Sequence, residues 1–444
     1  MRDKIIEELK KYSDIAILGF GREGKSTYHF IRSFDQKKKL TILDEKEIDV
    51  DDDNVVYKKY NGKDTDLEEY DLIIKTPGIP ILWLSKSIIS KMTSQMELLL
   101  KYNREKVIGI TGTKGKSTTS SLLYNVLKDQ LPKVCLVGNI GIPVLDKIDE
   151  FDDSVIVAEM SSHQLETVDY SPHVGVILNL YSDHLDHAGT LENYHQSKMN
   201  IMKYQDIHDY AIYDLDNYYL SLQKFDSIKS EKLTVSLHNE ATICLRDGMI
   251  YLNDKFLVKE ENIKTELKGE HNLKNIMFVL LIASLYNLDL DKTLQSIKDF
   301  KPLEHRMEYV GKYDGIIFYN DAIATIPAAT MNAINSLKEV DTLIFGGMDR
   351  KIDYTEFINY LNKGIVRNLI CMPTTGYMIG DAITNSKVKI YKIELLEDAV
   401  NLAKQVTEKN KICLLSPAAA SYEYFKNFEE KGHAYKEYVM QEKK

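Results

Sequence analysis

Twice in this chain a short apolar run leads straight into a glycine-rich turn that ends in Gly-Lys-Ser-Thr. Few features constrain a fold more. A buried strand, a turn of backbone N–H groups and a helix behind it form the repeating unit of a parallel α/β sheet, and the helix N-terminus is an anion site. The first copy, residues 19–26 (GFGREGKS), follows the run 15–19 and fits both GxxxxGK[ST] and GxGxxG as a string. The second, residues 111–118 (TGTKGKST), follows the run 107–110 and has Ile110 where the strict phosphate-loop pattern has its first glycine.

Pattern alone selects the first copy for ATP; physical context selects the second. A phosphate loop needs a strand, a turn of N–H groups, a lysine for the β/γ-phosphates and a hydroxyl for Mg²⁺. Gly112, Thr113, Lys114, Gly115, Lys116, Ser117 and Thr118 supply these behind the strand at 107–110. Metal-holding groups are also at hand. Glu159 ends the predicted strand 154–158, and His184 follows the predicted strand 174–178. Both lie at carboxyl ends of strands, where open parallel sheets bind ligands. The first copy has no such partners. Instead Asp44 ends the next strand, 20 residues after Gly24, the spacing of an acid that bonds a ribose or base in a Rossmann-like domain. We therefore expect ATP at the second loop and another nucleotide at the first. The plain alternatives are a ligand-free strand–helix turn at 19–24, a strand-end acid at Glu159, a solvated loop histidine at His184 and an ordinary salt bridge at Arg306. His163, His173 and His187 are expected to be structural or exposed.

Strand signals continue at 40–43, 72–74 and 134–137, and a strand-rich patch lies near 230–260. Helices are expected over 87–103, 191–204 and 272–285. A third region opens near 301–306, with strands at 316–319, 342–345, 369–372 and 411–415. For 444 residues this predicts an α/β protein of three domains, 1–95, 96–302 and 303–444. The first and last are Rossmann-like; the central one is a P-loop domain with a parallel sheet and a smaller sheet. Lys plus Arg number 57 against 67 Asp plus Glu, which argues against broad phosphate neutralisation on a nucleic acid. No apolar run reaches the ~18 residues of a membrane span, and the N-terminus lacks a signal peptide's apolar core. Cys135, Cys244, Cys371 and Cys413 form no CxxC pair. A cytoplasmic monomer is expected, with no nucleic-acid partner and no membrane insertion.

The motif set is more specific than either loop. GNIG (138–141), EMSSHQLE (159–166), SDHLDH (182–187), Lys198, HNLKN (271–275), EHR (304–306), NDAIAT (320–325), GGMDRK (346–351) and SPAAASYEYFKNFEEKG (416–432) follow TGTKGKST in order. In content and order the chain resembles the Mur ligases over nearly its whole length, and the last segment resembles the glutamate-adding branch. The resemblance implies a UDP-binding domain, a central ATPase and an amino-acid-binding domain. It implies ATP and Mg²⁺ as cofactors, and UDP-N-acetylmuramoyl-L-alanine and glutamate as small-molecule partners. The carboxylate would become an acyl phosphate, which the amine attacks. Lys116 would contact phosphates, Ser117 and Glu159 would bind Mg²⁺, and His184 and a carbamylated Lys198 would serve a second Mg²⁺. Asn139 and Ser161 would touch the muramyl part, and Phe20, Arg22, Asp44, Thr76 and Gly78 the UDP part. Asn272, Asn275, Arg306 and Asp321 would hold the nucleotide. Thr325, Arg350, Ser421 and Phe428 would meet glutamate.

Two positions depart from the family pattern. Ile323 stands where a glutamate-holding lysine is expected, and Arg350 where another is. An aliphatic side chain bonds no carboxylate, and Arg offers a planar fork in place of a point charge, so the exchange is not neutral. Lys351 is the neighbouring cation available to share that role. D-glutamate is the first expectation and L-glutamate the alternative. Outside the ligase class, the open readings are a P-loop switch, a UDP-sugar-binding protein without catalysis, and a dehydrogenase-like use of residues 19–44.

Overall fold

The computed structural model describes residues 1–48, 50–139, 142–181, 189–223, 225–267, 269–350, 352–422 and 424–441. The chain forms two compact units, Met1–Phe300 and Lys301–Lys444. The first unit contains two sheets. The smaller is built from β1 (Ile15–Leu18), β2 (Leu40–Asp44), β3 (Val55–Lys59), β4 (Leu72–Lys75) and β5 (Met92–Thr93), all parallel, in the order β3-β2-β1-β4-β5. The larger contains β6 (Val107–Thr111), β7 (Val134–Gly138), β8 (Val155–Glu159), β9 (Val174–Ile177), β10 (Tyr210–Asp214) and β11 (Glu231–Ser236), all parallel. It ends in β12 (Ile243–Arg246), β13 (Met249–Leu252) and β14 (Lys255–Lys259), joined by antiparallel turns. Its order is β14-β13-β12-β11-β10-β9-β6-β8-β7.

The second unit has one sheet, of β15 (Glu308–Tyr313), β16 (Ile316–Asn320), β17 (Val340–Gly347), β18 (Asn368–Thr374), β19 (Lys389–Lys392) and β20 (Ile412–Leu415). The order is β15-β16-β20-β17-β18-β19, and only β15 runs antiparallel to its neighbour. The α/β class expected from the sequence is therefore the one found. Parallel strands covered on both faces need apolar residues on both faces, and β1, β4, β6, β9 and β20 are buried at every position.

One helix reads differently. The stretch 87–103 is not continuous: Lys86–Ile89 is a single turn, β5 follows, and a new helix runs Gln95–Asn103. Ser94 explains the restart. Its hydroxyl accepts the Glu97 N–H at 3.1 Å, an N-cap that favours a helix start at Gln95. Met92 and Thr93 meanwhile pair with Ile73 and Ile74 and complete the smaller sheet. Strands β3, β10, β15 and β19 were not among the expected elements. The helix Glu270–Leu285 is buried at every position from Asn275 to Ala283. A helix apolar all round belongs inside a protein, and each such side chain contributes about 1.5–3 kcal/mol by leaving water. Among the described residues, no helix is long and apolar enough to cross a membrane.

Glu97, on the helix Gln95–Asn103, is a half-buried acid. Its Oε2 has no hydrogen-bond partner among the described residues. Burial, and then the charge of Asp169, pushes its carboxyl up to about 7, against an opposing pull from Lys101. The folded chain thus holds this proton more tightly than the unfolded chain, whose value is near 4.5. Stability is fullest below that value, declines as the pH rises towards 7 and stays reduced above it. Glu97→Gln is expected to flatten this slope and stabilise the first unit by about 1–2 kcal/mol at about pH 8, after allowance for solvent screening. Thermal melts of both proteins at about pH 5 and pH 8 check it; the same gain at both pH values contradicts it.

Candidate active site

The two glycine loops differ in where their helices begin. In the second, the helix Lys116–Lys128 starts at the lysine itself, with Gly115 as a left-handed N-cap at φ +84°. Its first-turn N–H groups therefore face the loop, as a phosphate cradle requires. In the first, the helix Arg22–Phe34 starts three residues before Lys25, so Lys25 and Ser26 lie inside it and Ser26 is buried. Gly24 serves packing: a Cβ there would come within 2.2 Å of the Gly19 carbonyl oxygen. That is the third-glycine role of a dinucleotide-type turn, not a phosphate loop.

Asn179, two residues past β9, clamps the second loop. Thr113 N–H donates to its carbonyl oxygen (3.0 Å), Lys114 N–H to its Oδ1 (2.8 Å), and its Nδ2 donates to Lys114 O (3.0 Å). The Thr113 hydroxyl accepts the Tyr181 N–H at 3.0 Å and the Tyr194 hydroxyl at 3.3 Å. Lys116 folds over the loop, its Nζ 2.9 Å from Gly112 O and 3.2 Å from Thr113 O. Asn275 lies against the loop's far side, since a Cβ on Gly115 would meet its Oδ1 at 2.9 Å. Asn275 Nδ2 donates to Asn272 Oδ1 at 3.3 Å, so both asparagines share the start of the Glu270–Leu285 helix. Lys274 between them is fixed by Asp214 and Asp216, each at 2.9 Å.

The sheet register brings Glu159 beside the loop. Ile110 pairs with Glu159, and Met160 N–H donates to Ile110 O at 2.9 Å. Glu159 is fully buried. One carboxylate oxygen accepts from Asn139 Nδ2 at 2.6 Å; the other has no hydrogen-bond partner among the described residues. A buried charged oxygen left unsatisfied is costly, and a hard cation is the ligand that would satisfy it. Ser117, also buried, adds a second oxygen of the type Mg²⁺ prefers, so the donor set fits the ion. Lys198 is buried, with Nζ 3.1 Å from Gly112 O and 4.8 Å from the Tyr194 ring centre. The expected ligand His184 lies outside the described residues. His173, expected to be structural, bonds Asp209 at 2.9 Å.

In the smaller sheet, Asp44 holds the first loop in shape: its Oδ2 accepts Phe20 N–H at 2.7 Å and its Oδ1 accepts Lys46 N–H at 3.0 Å. Thr76 caps β1 through Leu18 O, at 3.1 Å from its hydroxyl. Arg22 and Gly78 are exposed beside these turns. Ser161 forms a capping box with Gln164 at the short helix Ser162–Leu165.

The second unit gathers Asp321, Ser416 and the 305–307 turn. Asp321 accepts Ser416 Oγ at 2.9 Å and Met307 N–H at 3.2 Å. His305 and Met307 have positive φ, 62° and 49°, a conformation that bulky residues rarely adopt, and Arg306 between them is half-buried with Nε unpartnered among the described residues. Ser421 Oγ is buried and has no partner among the described residues; Phe428 opens the last helix, and Thr325 and Arg350 lie half-buried and exposed. Lys351 lies outside the described residues. Lys431 was not singled out by its sequence. It is fully buried, donates to Gly346 O at 2.9 Å, and burial alone pulls its amine down to about 8. It thereby ties the last helix to the end of β17, just before the loop that carries Arg350. Two groups of metal-ligand type occur among the described residues, Glu304–His305–His433 and Glu105–His173–Asp209. Each already holds a cation, Lys436 on Glu304 and Arg104 on Asp209, so both read as ion-pair networks.

A strand-borne phosphate loop with its lysine, beside a buried carboxylate at the next strand's end, defines an ATP-handling protein of the P-loop class. Residues 110–283 match the Mur ligase middle domain, and residues 305–419 the domain described as Mur ligase, glutamate ligase domain. The chain is 34% identical over 421 residues to the UDP-N-acetylmuramoylalanine–D-glutamate ligase of Caldanaerobacter subterraneus subsp. tengcongensis, covering 92% of each chain. It is 33% identical to the protein of the same name from Clostridium acetobutylicum, over 97% of this chain and 96% of that one. Among solved structures it resembles MurF ligase from Thermotoga maritima in complex with ADP, with a TM-score of 0.59 and 17% identity over 96% of this chain and 95% of that one. The UDP-N-acetylmuramate–alanine ligase MurC from the same organism gives a TM-score of 0.60 and 17% identity over 96% and 98%; at such identity both speak for the fold. The chain belongs to the Mur ligase family of ATP-dependent, amide-forming ligases.

Proposed function

We propose that the chain joins D-glutamate to the carboxylate of UDP-N-acetylmuramoyl-L-alanine, consuming ATP, in cytoplasmic synthesis of the peptidoglycan precursor. Residues 1–95 would hold the UDP part, 96–302 the ATP and 303–444 the amino acid, with the protein acting as a monomer. The observation that carries this reading is the buried Glu159, bonded by the exposed Asn139, beside the Lys116 loop, on a chain matched over nearly its whole length by glutamate-adding relatives.

A carboxylate resists amines because its carbon is electron-rich. In the proposed reaction the γ-phosphoryl group passes to a carboxylate oxygen and ADP leaves. The amine nitrogen then bonds the carbonyl carbon, the C–O bond to phosphate breaks, and the amine proton is released. Lys116 offsets charge on the phosphates. Asn139 and Ser161 orient the acceptor, and Asn272 and Asn275, with Arg306 and Asp321, are assigned to the nucleotide. Ser117 and Glu159, with His184 assigned by the resemblance, would hold Mg²⁺, which would supply charge neutralisation on phosphate oxygens. Lys198 is proposed to be a carbamate: its ammonium loses one proton, the freed amine nitrogen bonds the carbon of CO₂ and loses a second, and a cation becomes an anionic oxygen donor beside Gly112. Thr325, Arg350, Ser421 and Phe428 are assigned to glutamate.

The test supplies acceptor, ATP and Mg²⁺ with a panel of D- and L-amino acids, following phosphate release and product mass. Release is expected only with glutamate present, and faster with the D-isomer. Preference for L-glutamate would overturn the stereochemical assignment, for which Ile323 and Arg350 are the residues to exchange. Inertness of folded protein with every amino acid would overturn the ligase reading.

A further inference from the structure

The EMSSHQLE segment does more than end in a metal-type carboxylate. Two of its side chains, Gln164 and Glu166, also reach across to residues of the smaller-sheet region. Lys75, the last residue of β4, is buried and bonds Glu166 Oε1 at 2.7 Å. Gln164 Nε2 donates to Glu23 Oε1 at 2.8 Å, while its Oε1 accepts the Ser161 N–H at 3.0 Å. Gln95 completes the set: its Nε2 donates to Glu23 O (2.9 Å) and to Thr27 Oγ1 (3.0 Å), and its Oε1 accepts Leu145 N–H at 3.1 Å. Burial pushes the Glu23 carboxyl up, and the Gln164 bond and the Lys75 charge draw it back.

The placement of these groups is what matters. Lys75 immediately precedes Thr76, and Glu23 immediately follows Arg22, so each adjoins a loop assigned to the UDP end of the acceptor. Gln164 is bonded to Ser161, and the same segment begins at Glu159, where the acceptor's carboxylate must react. Two buried side-chain links therefore join the sites for the two ends of one substrate. Adhesion alone is served as well by apolar packing, because buried ion pairs lose much of their Coulomb gain to desolvation. Directional bonds add something apolar packing lacks, a defined register between the two sheets.

We propose that Glu23, Lys75, Gln164 and Glu166 are positioning residues that set the span between the nucleotide loops and the reacting end, so that the protein selects acceptors by reach. This rests on the ligase reading above. An acceptor carrying the full nucleotide diphosphate uses the span; a truncated acceptor with the same reacting carboxylate does not.

The experiment measures kcat and KM for UDP-N-acetylmuramoyl-L-alanine and for N-acetylmuramoyl-L-alanine, with ATP and glutamate saturating, in the wild type, Lys75→Met, Glu166→Gln and the charge-swapped pair Lys75→Glu/Glu166→Lys. The single variants are expected to lower the preference for the full acceptor at least tenfold, through KM. Rates with the truncated acceptor and the KM for ATP should stay within about twofold, and the swapped pair should regain part of the preference. A folded variant with an unchanged preference, or with equal losses on both acceptors, overturns the proposal. If Lys75→Met does not fold, Glu166→Gln, which preserves shape but removes the charge that holds the Lys75 ammonium, decides alone. A wild type inert with both acceptors overturns the ligase reading along with this one, whereas an active wild type with indifferent variants overturns only this one.

Discussion

Lys116→Ala is expected to cut ligation by about 10³-fold or more, which corresponds to roughly 4 kcal/mol of lost transition-state stabilisation. The loop itself should survive. Its shape is held by Asn179 and by the left-handed Gly115, neither of which depends on the lysine side chain. The backbone N–H groups at the start of the Lys116–Lys128 helix would still receive phosphate. What is lost is the charge at the β/γ-phosphates, where negative charge shifts as the phosphoryl group moves. Nucleotide binding should therefore weaken far less than turnover, and the melting temperature should barely move. Calorimetric ATP binding beside steady-state phosphate release separates the two. Product formed at an undiminished rate would remove residues 112–118 from the catalytic account.

Lys198→Ala is expected to lose activity by at least about 10²-fold, and to regain part of it when a small carboxylic acid is supplied. The side chain is almost wholly buried, between Gly112 O and the Tyr194 ring. An ammonium there would oppose divalent cations gathered by Glu159 and Ser117; a carbamate would reverse the sign and offer the oxygens such ions prefer. Removing the side chain leaves a cavity that a free carboxylate can enter, which is why chemical rescue is the diagnostic result. Labelled CO₂ followed by carbon NMR checks the modification directly. An unmodified amine in protein saturated with bicarbonate, nucleotide and Mg²⁺ would contradict it.

Much of the fold was readable because the parallel strands are unbroken apolar runs. Val107–Thr111 and Val174–Ile177 announce themselves by burial on both faces. Val55–Lys59 and Lys389–Lys392 do not, since each is an edge strand with charged residues and mostly exposed positions. The helix start at Gln95 was masked because Ser94 and the short β5 interrupt a stretch whose composition is helical throughout. At the site, the preference for the second glycine loop rests in the sequence on neighbouring strand-end acids, and the two helix starts supply a physical reason for it. The Glu23–Gln164 bond was not legible: 141 residues separate its partners, and nothing local marks either one. Lys431 lies in a charged stretch that reads as surface, and only the packing of the last helix against the Gly346 turn buries it.

The open edges of the sheets carry a consequence for the protein at high concentration. A strand at a sheet edge has unpaired N–H and C=O groups, and a second chain can add to it and seed aggregation. One edge of each sheet here ends in a lysine-bearing strand: β3 with Lys58 and Lys59, β14 with Lys255 and Lys259, and β19 with Lys389 and Lys392. An incoming strand would have to bring its own side chains against these ammonium groups and strip their water. At these three edges the lysines are therefore expected to oppose strand addition between molecules, as gatekeeper residues do.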